Sequence, residues 1–412
     1  MSLFDRFVGH LFKRGDMTII LADGTVRRFG SPDPALKPVT IRFLDKGVPG
    51  FIATNPHLHA AEAFMDGRLV IEQGDIRDLV DLVRANGRWE EARVTLRGTL
   101  RNLIRDRLRA RVQSFNWAGR SKANVAHHYD LNDRLYDLFL DADRQYSCAY
   151  FTDPGNSLDQ AQADKKAHIA AKLHLKPGLR VLDIGCGWGG MALYLNRVAD
   201  VDVLGITLSE EQLKVARRRA AEAGVSDRVK FELIDYRQLD GTFDRIVSVG
   251  MFEHVGVPQY PAFFLKCRDL LAIDGVMLLH TIGRLGGPGK TDAFTLKYIF
   301  PGGYNPALSE ITGASEQARM MVSDVETLRI HYALTLDRWY DRTMAAKDAI
   351  VALYDERFFR MWTFYLAGAR AAFLHGNLCN YQIQYVRDRR ALPITRDYMG
   401  EAERRLAEPP LS

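Results

Sequence analysis

The run Val181-Leu182-Asp183-Ile184-Gly185-Cys186-Gly187-Trp188-Gly189-Gly190 carries an apolar strand into an acid and then into a glycine-rich turn. Glycine lets a backbone turn sharply and approach a ligand closely. A helix that follows such a turn offers unpaired N–H groups and a partial positive charge at its N-terminus. The chemistry implied is the holding of a nucleotide cofactor. Gly185, Gly187 and Gly190 satisfy the GxGxxG spacing of dinucleotide sites, a pattern that discriminates weakly on its own.

The elements around the turn narrow the reading. From Lys165 onward, Arg180 to Ile184, Val201 to Ile206, Val229 to Leu233, Arg245 to Val249 and Val276 to Thr281 read as strands. Gly189 to Val198 and Glu210 to Ala223 read as helices. This alternation predicts an α/β fold with a mainly parallel, Rossmann-like sheet, whose ligands bind beyond the carboxyl ends of the strands. Residues 1–90 read as a small α+β domain. Ala22-Asp23-Gly24-Thr25 between Thr18-Ile19-Ile20-Leu21 and Val26-Arg27-Arg28-Phe29 signals a hairpin, and helices are expected near His59 to Phe64 and Asp75 to Asn86. Leu3, Phe4, Phe7, Val8, Leu11 and Phe12 make an amphipathic face that packs on its own domain or enters a bilayer.

Residues 91–120 form a basic connector. From Arg93 to Lys122 nine Lys or Arg (93, 97, 101, 105, 107, 109, 111, 120, 122) stand against Asp106 alone, beside Leu96, Leu100, Ile104 and Leu108 at helical spacing. It reads as a solvated connecting helix or as a surface for anionic lipid headgroups; no nucleic-acid motif accompanies it. The whole chain has 412 residues and a net charge of +5, with 47% hydrophobic and 26% charged residues, a globular balance with room for two or three domains. No run of about 18 apolar residues and no secretory signal is present, so a cytoplasmic location is expected. The four cysteines form no CxxC pair, and neither a disulfide framework nor a metal site is signalled.

Asp183, two residues before the first glycine, gives the acid-x-Gly-x-Gly-x-Gly form associated with S-adenosylmethionine enzymes, and Phe243-Asp244-Arg245-Ile246-Val247 supplies the later strand of such domains. Seven segments in order then resemble the cyclopropane fatty acid synthase family, with its related mycolic acid methyltransferases. They are His127-His128-Tyr129-Asp130-Leu131, Gln145-Tyr146-Ser147-Cys148-Ala149-Tyr150-Phe151, the glycine turn, Gly205-Ile206-Thr207-Leu208-Ser209, Met251-Phe252-Glu253-His254-Val255-Gly256, Leu278-Leu279-His280-Thr281-Ile282-Gly283 and Tyr298-Ile299-Phe300-Pro301.

The resemblance implies a class I S-adenosylmethionine methyltransferase domain over 121–412, with a helical insertion after Gly283 that covers an acyl tunnel. Asp183 would then bind the cofactor, with Gly185 and Gly187 at its methionine end, Thr207, Leu208 and Gln212 at its ribose, and Asp235 and Tyr236 beside adenine. Tyr146 and Ser147 would close the other side. For Tyr146, Leu208 and Tyr236 the alternative is core packing. The resemblance also implies a bound bicarbonate as base, held by backbone N–H groups of Cys148 and Ile282 and by the side chains of Glu253, His280 and Tyr332. Taken singly, His280 reads as a core histidine at the end of an apolar strand, and Glu253-His254 as a helix cap. Tyr129 and Tyr298 are candidates to line the substrate and stabilise a cation, or to pack in the core.

In the resemblance the substrate is an unsaturated acyl chain of a membrane phospholipid, met at the anionic inner face of the membrane by a peripheral homodimer, and the product is a cyclopropane. Where many relatives carry a cysteine near the C-terminal helix, this chain reads Tyr365-Leu366-Ala367-Gly368-Ala369, and Cys379 does not fill that place. A methyl- or methylene-branched product is the nearest alternative. A lipid-binding protein with a degenerate methyltransferase domain and a nicotinamide dehydrogenase are the more distant ones.

Overall fold

The computed structural model describes residues 8–92 and 133–406. The basic stretch, Tyr129 and the first residues of the N-terminal amphipathic face lie outside the described residues. The rest falls into two compact units. One contains 8–92, 292–299 and 333–377; the other contains 133–291, 300–332 and 378–406.

In the first unit, β1 (Met17–Ile20), β2 (Val26–Phe29), β3 (Val39–Phe43) and β4 (Leu69–Gln73) form a sheet ordered β2-β1-β3-β4. The expected hairpin is present: Met17 pairs with Phe29, and Gly24 turns the loop at φ +83°. Alternation along β3 sends Val39, Ile41 and Phe43 into one core with Met17, Ile19 and Leu82. Helices α1 (Val48–Thr54), α2 (Pro56–Met65) and α3 (Ile76–Ala85) complete the N-terminal part. Asp75 caps α3 reciprocally with Asp78: its carboxylate accepts the Asp78 N–H at 2.8 Å, and the Asp78 carboxylate accepts the Asp75 N–H at 3.2 Å.

In the second unit, α4 (Asp133–Phe139) and α5 (Leu158–Lys172) precede the alternating region. This contains β5 (Arg180–Ile184), α6 (Gly190–Ala199), β6 (Asp202–Thr207), α7 (Glu210–Glu222), β7 (Val229–Leu233), β8 (Phe243–Val249), α8 (Tyr260–Leu270) and β9 (Leu271–Arg284). Then follow α9 (Leu308–Gln317) and β10 (Met321–Thr327). The chain next passes through α10 (His331–Ala345), α11 (Lys347–Leu353) and α12 (Glu356–Leu374), nearly all of them in the first unit. It returns as β11 (Leu378–Val386) and ends with α13 (Asp397–Leu406). Within the first unit, Arg370 is 2.6 Å from Asp81 and Arg357 is 2.8 Å from Asp66, and Phe364 packs on Phe64 and Phe294.

The seven strands run in the order β10-β11-β9-β8-β5-β6-β7. β7, β6, β5, β8 and β9 are mutually parallel; β11 runs antiparallel beside β9, and β10, antiparallel to β11, again runs in the common direction. Val181, Val203, Val247 and Leu278 face one apolar core; Leu182, Ile206, Ile246 and Leu279 face the other. Strand order reverses at β5, between β6 and β8, so the glycine turn leaves the sheet where helices diverge and a crevice opens. The last parallel strand is longer than expected. His280 does not end it, because β11 pairs along β9 as far as Leu378 with Arg284.

Candidate functional site

The turn after β5 is built for close approach. Gly185 has φ +83°, and a Cβ there would lie 2.9 Å from the Met251 Cβ; Gly187 has φ +55° and open space where a side chain would project. Gly185 and Cys186 donate their N–H groups to the Ile206 carbonyl, at 2.9 and 3.0 Å, which ties the turn to β6. Asp183 is buried, and its Oδ2 has no hydrogen-bond partner. Burial pushes this carboxyl up to about 7, with the Lys165 charge acting in the opposite sense.

Tyr146, Ser147, Asp183, Gly185, Gly187, Thr207, Leu208, Gln212, Asp235 and Tyr236 all line one pocket. They come from the loop before α5 and from the ends of β5, β6 and β7. Thr207 Oγ1 donates to Gln212 Oε1 at 2.9 Å, which sets the start of α7 against the strand. Burial raises the Asp235 carboxyl, but Arg237, donating through Nε at 2.8 Å and through its N–H at 3.0 Å, outweighs that and holds it below the usual range. Tyr236 packs edge-on against Phe263, and Tyr146 edge-on against Tyr136 and Phe139, so both rings serve the core as well as the pocket wall.

The wall formed by Gln145 to Ser147 is held from behind by α5. Lys165 Nζ donates to Gln145 Oε1 at 2.6 Å and to Ser147 Oγ at 2.9 Å, and Gln162 Nε2 donates to the carbonyls of Gln145 and Ser147 at 3.1 and 3.0 Å. Lys165 has no exposed surface, and burial lowers its amine to about 8. Lys166 binds Asp143 at 2.7 Å, and Arg219 pairs with the same carboxylate.

A second group lies beyond the end of β8. Glu253, on the short turn Phe252–His254, accepts the Ile282 N–H through Oε1 at 2.6 Å, while its Oε2 is buried without a partner. Burial drives this carboxyl up to about 7, against the pull of the Ile282 N–H. His280, level with Val249 in the sheet, is held well below its ordinary value by burial and by the charges of Lys165, Lys172 and His168. Its ring is contacted by Gln382 Nε2 at Nδ1, 3.1 Å, and by Asn380 Nδ2 at Nε2, 3.3 Å.

Cys148 and Tyr332 lie on two segments that a backbone-to-imidazole hydrogen bond joins. Cys148 is buried next to Ser147. Tyr332 follows His331, whose Nδ1 accepts the Phe151 N–H at 2.9 Å. The Leu328 N–H donates to the Asn380 carbonyl at 2.8 Å, which fastens the same turn beside Ile282. The Lys165 charge acts on Cys148, Asp183 and His280 alike, and so links the two groups.

Tyr298 belongs to the first unit, where its hydroxyl donates to Glu62 Oε1 at 2.8 Å. Cys379 is buried in β11, in register with Gly283, and Ala369 lies within α12 of the first unit. Pocket residues absent from the sequence expectation include Arg144, Trp188, Arg237, Met251 and His254. His254 follows Glu253 in the segment Met251 to Gly256, and burial lowers its imidazole to about 4, which keeps it neutral. Lys165 carried no signal at all, since polar residues on a helix ordinarily face water. Among the described residues no cluster suits a metal ion, and no helix is long and apolar enough to cross a membrane.

Residues 118–383 match the family described as mycolic acid cyclopropane synthetase. The chain is 42% identical over 298 residues to the cyclopropane-fatty-acyl-phospholipid synthase of Escherichia coli strain K12, covering 72% of this chain and 76% of that protein. It is 42% identical over 287 residues to a probable fatty acid methyltransferase of Pseudomonas putida, covering 67% and 73% respectively. Among solved structures, mycolic acid cyclopropane synthase CmaA1 complexed with SAH and CTAB superposes with a TM-score of 0.61 at 36% identity. That match covers 64% of this chain and 97% of CmaA1.

Proposed function

The chain belongs to the mycolic acid cyclopropane synthetase family and has the class I S-adenosylmethionine-dependent methyltransferase fold. From that membership we propose that it transfers a methylene from S-adenosylmethionine to the double bond of unsaturated phospholipid acyl chains, with bicarbonate as the base. The observation that carries the reading is that all ten expected cofactor residues, from the loop before α5 and three successive strand ends, line one pocket at the sheet's switch point.

S-adenosylmethionine fits this pocket. Gly187 leaves room where a side chain would project, Asp183 offers a partnerless carboxyl oxygen, and the Asp235 carboxylate suits a donor-bearing edge. When bound, the cofactor supplies an electrophilic methyl on a sulfonium. The residues hold and orient it, while Tyr146 and Trp188 add apolar walls that exclude water.

Bicarbonate also fits. The partnerless Glu253 Oε2 calls for a hydroxyl donor, and a neutral imidazole at His280 and the Tyr332 phenol are donors suited to an oxyanion. When bound, bicarbonate supplies the base for the proton lost from the transferred methyl. An amine or imidazole used as that base becomes a cation when it takes a proton, which the nearby sulfonium disfavours, a cost that an anion in a neutral, hydrogen-bonded cradle avoids. Arg93 to Lys122 would meet the anionic headgroups of the lipid surface.

The test is mass spectrometry of phospholipid acyl chains after expression in a host without the activity. Addition of one CH2 with a ring demonstrated by NMR is expected. An added CH2 with a retained alkene would make the product branched, and no mass gain from protein that binds S-adenosylmethionine would overturn the lipid reading.

A further inference from the structure

Behind His280 runs a fully buried chain of side chains that the proposed reaction does not itself use. Lys172, at the end of α5, donates from Nζ to Gln382 Oε1 at 2.7 Å and pairs with Glu326. Gln382 lies directly opposite His280 in the β9–β11 register, and its Nε2 is 3.1 Å from His280 Nδ1. Lys172 is 2% exposed, Gln382 0% and His280 1%, so water does not compete for these contacts.

The direction of each bond follows from the chemistry of the groups. An ammonium only donates, so the amide must present its oxygen to Lys172. Burial pushes Glu326 up, but its His168 and Lys172 partners overcome this and take it down to about 2; burial lowers the Lys172 amine, and the Glu326 carboxylate opposes that shift and favours the ammonium. With its oxygen committed, Gln382 turns its NH2 group to the imidazole. An NH2 group only donates, so His280 Nδ1 must accept. The ring is neutral, and its one proton therefore sits on Nε2. Asn380 agrees with this outcome: turning its Oδ1 toward Nε2–H gives that proton an acceptor in the unliganded protein, which a bound oxyanion would share or displace.

We infer that Lys172 and Gln382 are positioning residues that lock His280 as its Nε2–H tautomer, so that the ring offers a bound oxyanion one N–H donor in a fixed direction. The inference rests on the reading of His280 given above. An imidazole in the other tautomer would turn a lone pair toward the anion and lose the hydrogen bond. The polarity originates at Lys172 and reaches the ring only through the Gln382 amide, because nothing else described contacts Nδ1.

The experiment is long-range 1H–15N correlation NMR on the full-length, histidine-labelled protein, with the His280 signals assigned by their loss in His280→Gln. Wild type is expected to show an unprotonated Nδ1 and a protonated Nε2; a proton on Nδ1 overturns the inference without any variant. Gln382→Glu keeps the shape and the Lys172 pairing but can only accept from the ring, so the proton should move to Nδ1. Turnover should fall on the order of 100-fold or more, as when a catalytic histidine is held in the wrong tautomer, with S-adenosylmethionine affinity unchanged. Lys172→Met should give mixed tautomers and a smaller loss, with Lys172→Arg restoring both. A reversed tautomer with full turnover overturns the inference. Full turnover in His280→Gln overturns the functional reading instead, and the two failures are distinguishable.

Discussion

Ile282 donates its backbone N–H to Glu253 Oε1 at 2.6 Å, while the other oxygen of that carboxyl is buried with no partner. One half of the acid is therefore fixed by the sheet, and the other half is aimed and unsatisfied. An unmet buried acceptor costs about 1–3 kcal/mol, which binding of a hydroxyl-bearing ligand would return.

Glu253→Gln should leave S-adenosylmethionine affinity within about twofold and lower turnover on the order of 100-fold, the scale of a lost charge-assisted or acid–base contact. Calorimetric titration and single-turnover assays check the two halves. Unchanged turnover would remove Glu253 from the site.

The acidity of Asp183 predicts a pH effect on stability. Its folded carboxyl keeps its proton to about pH 7, whereas the unfolded group loses it near 3.8. Between those values the native state binds more protons, so this contribution is full below about pH 4 and is lost as pH rises to 7. Asp143 and Glu326 shift the other way, so the comparison must be between variants. Melting temperatures of wild type and Asp183→Asn should diverge across that window, the variant gaining relative stability as pH rises; a constant difference would contradict the burial argument.

Gly185→Ala would place a Cβ 2.9 Å from Met251 at a backbone angle of +83°. A loss of about 1–3 kcal/mol is expected, together with at least tenfold weaker S-adenosylmethionine binding. Chemical denaturation reads the first, and the thermal shift on adding cofactor reads the second.

Lys165→Met removes the cation that joins Gln145 to Ser147. Two buried acceptors lose a donor, and the pocket wall loosens. The expected result is a rise in the cofactor's Kd of about tenfold or more, with a lower melting temperature. An unchanged Kd would mean that Gln162 alone holds the wall.

Much of this site was legible in the residues themselves. β7 was expected at Val229 to Leu233 and lies there, because an apolar run flanked by polar turns has little freedom of register. The glycine turn likewise declared both its strand and its helix. Lys165 and Lys172 were not legible, because a polar residue on a helix reads as solvated until the loop or strand that buries it is known. Gln382 was missed for a related reason. Its meaning depends on which residue lies opposite, and antiparallel register between β9 and β11, separated by more than ninety residues of chain, leaves no local mark. Nor does a linear reading reveal that 333–377 join the first ninety residues in one unit: complementary charges such as Arg370 and Asp81 are 289 positions apart.

That excursion has a consequence for biosynthesis. β10 and β11 are separated by the whole of α10, α11 and α12, so the outer edge of β9 stays uncovered until residue 386 has left the ribosome. A nascent chain stalled after β10 would expose a long apolar edge, Val276 to Leu279 within it, ready to pair with a neighbour. The same connectivity means that no single cut separates the two units. Dissecting this protein into independently folding halves would require rejoining the chain across 333–377.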